Sequence, residues 1–210
     1  MRLKGLIFDL DGTIINSYSM TLEYLGYVLK KYGNIELSPE EISQLFGPSE
    51  KMIFQKLINP EEVEACYQEY FNLFADHIEK INLFDGFPEI LNFLHYDQKK
   101  LAIFTGRGRE LTKFILEKKQ IIDYFETIVT SEAVPNYKPK PDGVLKTCSL
   151  LNIPPSKVLH IGDSSLGILS GKNAGAVTGA ALWGTLNRQK LIETDPDYLF
   201  PHPEEIKKVI

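Results

Sequence analysis

Two carboxylates two residues apart stand near the start of the chain, in Leu6-Ile7-Phe8-Asp9-Leu10-Asp11-Gly12-Thr13. In an extended backbone residues i and i+2 share a side, so Asp9 and Asp11 can face one cleft. Two acids in one cleft can divide nucleophilic and acid/base work when their surroundings hold them in opposite protonation states. The same spacing also fits a strand that ends in an Asx-type turn, with Gly12 bending the backbone and Thr13 hydrogen-bonding the turn. Three later stretches add groups suited to an anion. Leu101-Ala102-Ile103-Phe104 runs into Thr105-Gly106-Arg107-Gly108, a hydroxyl beside loop amides. Tyr137-Lys138-Pro139-Lys140-Pro141-Asp142 is a proline-stiffened loop carrying two cations. Val158-Leu159-His160-Ile161 runs into Gly162-Asp163-Ser164-Ser165, a third carboxylate in a turn. Each stretch alone reads as an ordinary connection. In this order they make a set: carboxylate pair, hydroxyl, lysine, carboxylate.

The elements that must position this set follow from hydrophobic patterning. Leu6, Ile7 and Phe8 form an apolar run without polar interruption, the mark of a strand buried on both faces. Leu22, Leu25, Leu29 and Tyr32 stripe a helix over 16–32, ended by Gly33-Asn34. Ser38-Pro39-Glu40-Glu41 and Asn59-Pro60-Glu61-Glu62 both carry helix-start signals. Between them 51–58 is a short helical piece. Val63, Tyr67, Tyr70, Phe74, Ile78 and Ile81 then predict one long helix, and nothing between Asn16 and Leu83 reads as a strand. From Leu83-Phe84-Asp85-Gly86 onward helix and strand signals alternate. Helices are predicted at 88–95, 109–119, 142–151 and 165–174; strands at 101–104, 127–129 and 158–161, with a last apolar run at 180–183. Such alternation is the signature of a parallel sheet covered on both faces. The expected class is α/β: a Rossmann-like core of residues 1–15 and 84–210, interrupted by an all-helical, four-helix block over 16–83. Right-handed crossovers put the strand ends, and the set with them, on one edge, where open parallel sheets bind ligands.

Asp-Leu-Asp-Gly-Thr, the strand-end Thr105, Lys138-Pro-x-Pro-Asp and Gly-Asp163-Ser together resemble the haloacid dehalogenase-like hydrolase superfamily. The helical block resembles the small cap of its subfamily I, which includes phosphoglycolate phosphatases. The resemblance implies Asp9 as the nucleophile that forms an aspartyl-phosphate and Asp11 as the general acid/base. It further implies Thr105, Gly106 and Lys138 as phosphate-binding residues, and Mg2+ held by Asp9, Asp163 and the backbone carbonyl of Asp11. Phosphoryl transfer asks for these residue types, because its charge must be neutralised and its partners aligned. A phosphomonoesterase of small phosphorylated metabolites is the leading reading. A β-phosphoglucomutase-like phosphomutase and a weakened phospho-ligand-binding protein are the alternatives. The last arises because the fourth motif lacks its second acid: Ser164, Gly167 and Ile168 occupy the positions where one is usual. The cap loop of the family nominates Gly47, Pro48, Ser49 and Lys51 for substrate contact. Lys51 suits a substrate anion or a solvated helix start, and Arg107 an anionic substrate tail or a surface cation.

Composition bounds the rest. With 210 residues, 43% hydrophobic, 24% charged and net charge −5, the chain reads as an ordinary globular protein, with no basic face for nucleic acid. The absence of an apolar run near 18 residues argues against a membrane span, and a start directly in the first strand argues against a signal peptide. Cys66 and Cys148 stand apart without metal-ligand spacing, so a reducing, cytoplasmic setting and a monomer or homodimer are expected. His77, His95, His160 and His202 lack ligand spacing, and Tyr67, Tyr70, Phe71, Phe74 and Trp183 read as packing.

Overall fold

A computed structural model describes residues 3–210. In chain order the elements are β1 (Gly5–Phe8), β2 (Ile15–Asn16), α1 (Tyr18–Gly33), α2 (Pro39–Ser43), α3 (Glu50–Leu57), α4 (Val63–Asp76), β3 (Asn82–Leu83), α5 (Phe87–Tyr96), β4 (Lys100–Thr105), α6 (Arg109–Lys118), β5 (Thr127–Thr130), α7 (Asp142–Leu151), β6 (Val158–Gly162), α8 (Ser165–Asn173), β7 (Val177–Ala181), α9 (Arg188–Ile192) and β8 (Tyr198–Phe200), with short 3-10 turns between some of them. Six strands form a parallel sheet in the order β5-β4-β1-β6-β7-β8. The α/β, Rossmann-like class is as expected.

The uninterrupted apolar run of β1 is explained by its place. It is a central strand, buried at all positions and flanked by β4 and β6. Alternate residues supply opposite faces. Leu6, Phe8, Leu101 and Ile103 join the apolar layer of Phe87, Ile90, Leu111 and Ile115. Ile7, Ala102 and Phe104 join Val129, Val144, Cys148 and Leu151 on the other side. Because every strand is parallel, the ends of β1, β4 and β6 lie on one edge, carrying Asp9, Thr105 and Asp163.

Helices α1 to α4 pack on one another through Leu25, Val28, Leu29, Phe54, Tyr70 and Phe74. Edge-on aromatic pairs fix that packing, Tyr24 with Phe74 at 5.2 Å and Phe54 with Tyr70 at 5.8 Å between centroids. The start signal at Ser38 is realised as a capping box with Glu41, and Ser49 caps α3. Asn34, in the left-handed conformation at φ 51°, stops α1.

Three readings of the sequence need correction. The segment 16–83 does contain strand: β2 and β3 form a two-residue antiparallel ladder, Ile15 opposite Leu83 and Asn16 opposite Asn82. Pieces of two residues carry no period to read. The long helix ends at Asp76, and Ile78–Lys80 is a 3-10 turn that carries the stripe one step further. The first half of the last apolar run, Ala180 and Ala181, is the tail of a longer strand, β7, while Leu182 and Trp183 lie in the turn after it, and β8 follows unforeseen because a three-residue edge strand is too short to pattern. Among the described residues no helix is long and apolar enough to cross a membrane.

Candidate active site

Asp9 leaves β1 with its N–H donated to the Ile161 carbonyl of β6 at 2.8 Å, which extends the ladder by one residue and fixes the side chain at the sheet edge. Its Oδ1 accepts from the Leu10 N–H at 2.9 Å and its Oδ2 from Lys138 Nζ at 2.5 Å. Lys138 is brought in by the proline-flanked loop before α7, is only 5% exposed, and lies with Nζ 4.9 Å from the centre of the Phe104 ring. Asp163 directly follows β6 and is 1% exposed. Its Oδ1 accepts from Thr13 Oγ1 at 3.0 Å and its Oδ2 from Tyr18 Oη at 2.6 Å. Gly12 permits this closeness. Its φ is +73°, and a Cβ there would stand 2.4 Å from Asp163 Oδ2 and from the Tyr18 ring. Thr105 ends β4, and its Oγ1 accepts the Arg107 N–H at 3.1 Å, turning the loop toward the cleft.

The two carboxylates at the strand ends oppose each other electrostatically. Burial, and then the charge of Asp9, pushes Asp163 up to about 7. Burial also raises Asp9, against the pull of the Lys138 ammonium. With its lysine at 2.5 Å, Asp9 is the member of the pair that keeps its charge, and Asp163 the one that takes a proton. Asp11 behaves differently. Burial would raise it, but the Arg107 guanidinium overcomes that and holds it below the usual carboxylate range. Arg107 Nε lies 3.2 and 3.1 Å from the two Asp11 oxygens and Nη2 lies 2.8 Å from Oδ1, while Ser17 Oγ donates to Oδ1 at 2.5 Å.

Arg107 therefore belongs to the cleft and not to the surface. Its side chain is 2% exposed, stacks 4.6 Å over Phe74 of α4, donates to Thr21 Oγ1 of α1 at 2.9 Å, and places Nη1 3.2 Å from Glu50 Oε1 at the start of α3. Glu50 Oε2 also accepts the Gly108 N–H at 2.8 Å. Glu50, Thr21 and Tyr18 are site residues that sequence reasoning missed. An acid following a helix-capping serine reads as compensation of the helix dipole, and only the fold shows that its side chain is buried.

The remaining expected residues divide. Gly47, Pro48, Thr105, Gly106, Arg107 and Lys138 line one cavity of about 340 Å3 with Asp9, Asp11 and Asp163. Gly106 and Gly47 meet closely, since a Cβ on Gly106 would lie 3.1 Å from the Gly47 carbonyl oxygen. Ser49 spends its hydroxyl on the Met52 N–H. Lys51 points away: it is paired with Glu64 at 2.5 Å and lies over the Tyr67 ring. Of its two readings, substrate contact or a solvated helix start, the structure has Lys51 in the second, because one residue along a helix turns the side chain by about 100°. In the fourth motif Ser164 caps α8 by accepting the Gly167 N–H at 3.1 Å, and the vacant Cβ position of Gly167 is 3.7 Å from Asp9 Oδ2.

Among the described residues no three His, Cys, Asp or Glu side chains gather into a metal cage. The donor set still suits a hard divalent cation. Asp9 and Asp163 are two buried oxygen donors that repel each other, and a cation between them would replace the proton that Asp163 otherwise takes up. With few protein ligands such an ion keeps much of its water, as magnesium readily does.

Comparison with known proteins agrees with the architecture. Residues 6–181 match the model of the family described as haloacid dehalogenase-like hydrolase. A phosphoglycolate phosphatase of Aquifex aeolicus is 32% identical over 99% of this chain and 97% of its own length. Pyrophosphatase PpaX of Bacillus mycoides is 27% identical over 100% of this chain and 98% of its own. The crystal structure of a hydrolase from Pseudomonas syringae superimposes with a TM-score of 0.83 at 24% identity, covering 98% of this chain and 96% of that one, and shares the fold.

Proposed function

The chain belongs to the haloacid dehalogenase-like hydrolases and is a phosphatase of that family, and on that premise we propose that it hydrolyses small phosphomonoesters through an aspartyl-phosphate on Asp9, with Mg2+ as cofactor. The observation that carries the reading is the pairing of Asp9 with Lys138 at 2.5 Å on the strand-end edge, beside Thr105 and Asp163. A carboxylate needs its charge both preserved for attack and screened from an anionic substrate. Lys138 does the first by stabilising the ionised form and contributes to the second by neutralising a phosphate oxygen.

In the first half of the reaction an Asp9 oxygen attacks phosphorus and the bond from phosphorus to the leaving oxygen breaks. Asp11, which takes up a proton from solvent as the Arg107 pair loosens on substrate entry, gives that proton to the leaving oxygen. In the second half Asp11, again a carboxylate, takes a proton from the water that attacks phosphorus and frees Asp9. Arg107 favours Asp11 in this second, basic form. Thr105 Oγ1 and the amides of Gly106 and its neighbours hold the phosphoryl oxygens. Asp9, Asp163 and the Asp11 carbonyl would hold Mg2+, which when bound supplies positive charge to the phosphoryl oxygens. The block 16–83 acts as a cap over the cleft, and Ser17, Tyr18, Thr21 and Glu50 from it reach Asp11, Asp163 and Arg107.

The names of the relatives put pyrophosphate and phosphoglycolate in the substrate panel as compounds to be compared with simpler phosphomonoesters. The test is phosphate release from an aryl phosphate and a panel of small phosphate compounds, with magnesium titrated, beside Asp9→Asn. Turnover is expected to need magnesium and to fall about ten-thousand-fold in Asp9→Asn. Turnover in Asp9→Asn within tenfold of the parent would overturn the assignment of the nucleophile.

A further inference from the structure

Arg107 is the natural receiver of a second negative group on the substrate, since it stands two residues after Thr105, lines the cavity and is buried. Its charge is nevertheless already met on two sides. Asp11 takes Nε and Nη2, and Glu50 Oε1 lies 3.2 Å from Nη1. When Asp11 carries a proton, Arg107 and Glu50 sum to zero; when Asp11 is ionised, the three sum to minus one. Neither state leaves positive charge for another anion.

The other cations that line the cavity, among the described residues, are Lys138 and Lys190. Lys138 is held by Asp9, and Lys190 is exposed at the rim, where solvent screens a charge pair. Glu50 cannot readily step aside. It is 5% exposed, and its Oε2 is anchored on the Gly108 N–H at 2.8 Å. The rest of the wall carries no further cation: Leu25, Phe46, Ile53 and Leu186 are apolar, and Ser43, Gln44, Thr185 and Asn187 are polar but neutral.

We infer that Glu50 is a specificity-determining residue: by neutralising the charge of Arg107 from the cap side, it restricts the site to phosphomonoesters whose leaving group is organic and carries no second anionic charge, and disfavours phosphoanhydrides and phosphocarboxylates. This rests on the phosphatase reading of the cleft, with the leaving group on the Asp11 side. A tail with a carboxylate or phosphate must either displace Glu50 from Arg107 or sit unpaired beside it, and both outcomes weaken binding of ground state and transition state alike. The penalty should therefore appear mostly in KM.

The experiment compares phenyl phosphate and propyl phosphate with phosphoglycolate and pyrophosphate, using the full chain, Glu50→Gln and Glu50→Asp, with thermal melting as the check of folding. The parent is expected to favour the uncharged leaving groups by about tenfold or more in kcat/KM, the scale of one unfavourable charge contact. Glu50→Gln keeps an acceptor for Gly108 but frees the guanidinium, and should shift the ratio about tenfold toward the charged tails through KM. Glu50→Asp, which keeps the charge, should hold the parent's preference. A parent that prefers phosphoglycolate or pyrophosphate, or a folded Glu50→Gln with an unchanged ratio, would overturn the inference. A second arm measures by calorimetry the binding of the same four compounds to Asp9→Asn with and without Glu50→Gln. If the parent turns over nothing, the phosphatase reading fails, and this binding ratio decides the role of Glu50 on its own: a shift toward the charged tails in Glu50→Gln supports it and no shift overturns it.

Discussion

On the floor of the cleft, Asp9, Thr105 and Asp163 each end or directly follow a strand of the sheet and Lys138 sits in a short loop before a helix. On the opposite side Arg107, Glu50 and Thr21 come from a core loop and two helices of the inserted block and meet only because those elements pack. The floor is placed by backbone: the Asp9 N–H continues the ladder onto Ile161, and the parallel order of β4, β1 and β6 does the rest. The seam between block and core is placed by charge. Arg107 has almost no solvent and is held by Asp11, Glu50 and Thr21 together. The difference predicts different failures. Changes on the floor should spare the fold and remove rate, and changes at the seam should cost the fold first.

The largest expected effect on stability lies at the seam. Arg107→Met leaves Asp11 and Glu50 buried without their cation and should lower unfolding free energy by about 3–5 kcal/mol in urea titration, with part recovered when Glu50→Gln is added. A loss no greater than that of Lys138→Met would erase the distinction drawn here. Lys138→Met should instead leave the melting transition within a few degrees and cut kcat by about one hundred- to one thousand-fold, the worth of one charge-stabilising donor.

Beneath the floor, His160 offers a sharper test of how dry the sheet edge is. The imidazole is fully buried, neither ring nitrogen has a hydrogen-bond partner, and burial, then the charge of Lys138, lowers it to about 3. The folded protein thus binds fewer protons than the unfolded chain between pH 6.5 and pH 3. The stability this neutral form gives is whole above pH 6.5 and is lost as pH falls toward 3, about 2 kcal/mol of it by pH 5. His160→Leu should remove that portion of the pH dependence in denaturant unfolding at pH 7 and pH 5. The smallest effect belongs to Lys51→Ala, expected to change kcat/KM less than about twofold, because an exposed pair of this kind contributes little. A tenfold loss would put Lys51 back in the cleft.

How much of this was legible in the sequence follows the same division. Asp9, Thr105, Lys138 and Asp163 could be picked out because each stands at a strand end or helix start that hydrophobic patterning locates. The sheet and its order of alternation were legible for the same reason. The ladder of β2 with β3 and the edge strand β8 were not, being too short to show a period. Nor was Glu50, because burial of a carboxylate is decided by what packs over it, and Lys51 beside it looked the better partner for an anion. Arg107 was legible as a candidate, but its two carboxylates were not, since they come from positions 11 and 50.

The place of β1 in the sheet has a consequence for how the chain is made. Leu6 pairs with Leu101 on one side and Leu159 on the other. A ribosome therefore releases the central strand, with Asp9 at its end, well before either neighbour exists. In the interval the residues of α1 to α4 emerge, and their contacts are largely with one another, so they can settle while β1 waits with both edges open. An apolar segment with two free edges is prone to pair with the wrong partner. Early folding of the four helices on one another would withdraw their apolar residues from the waiting strand and so remove wrong partners during synthesis.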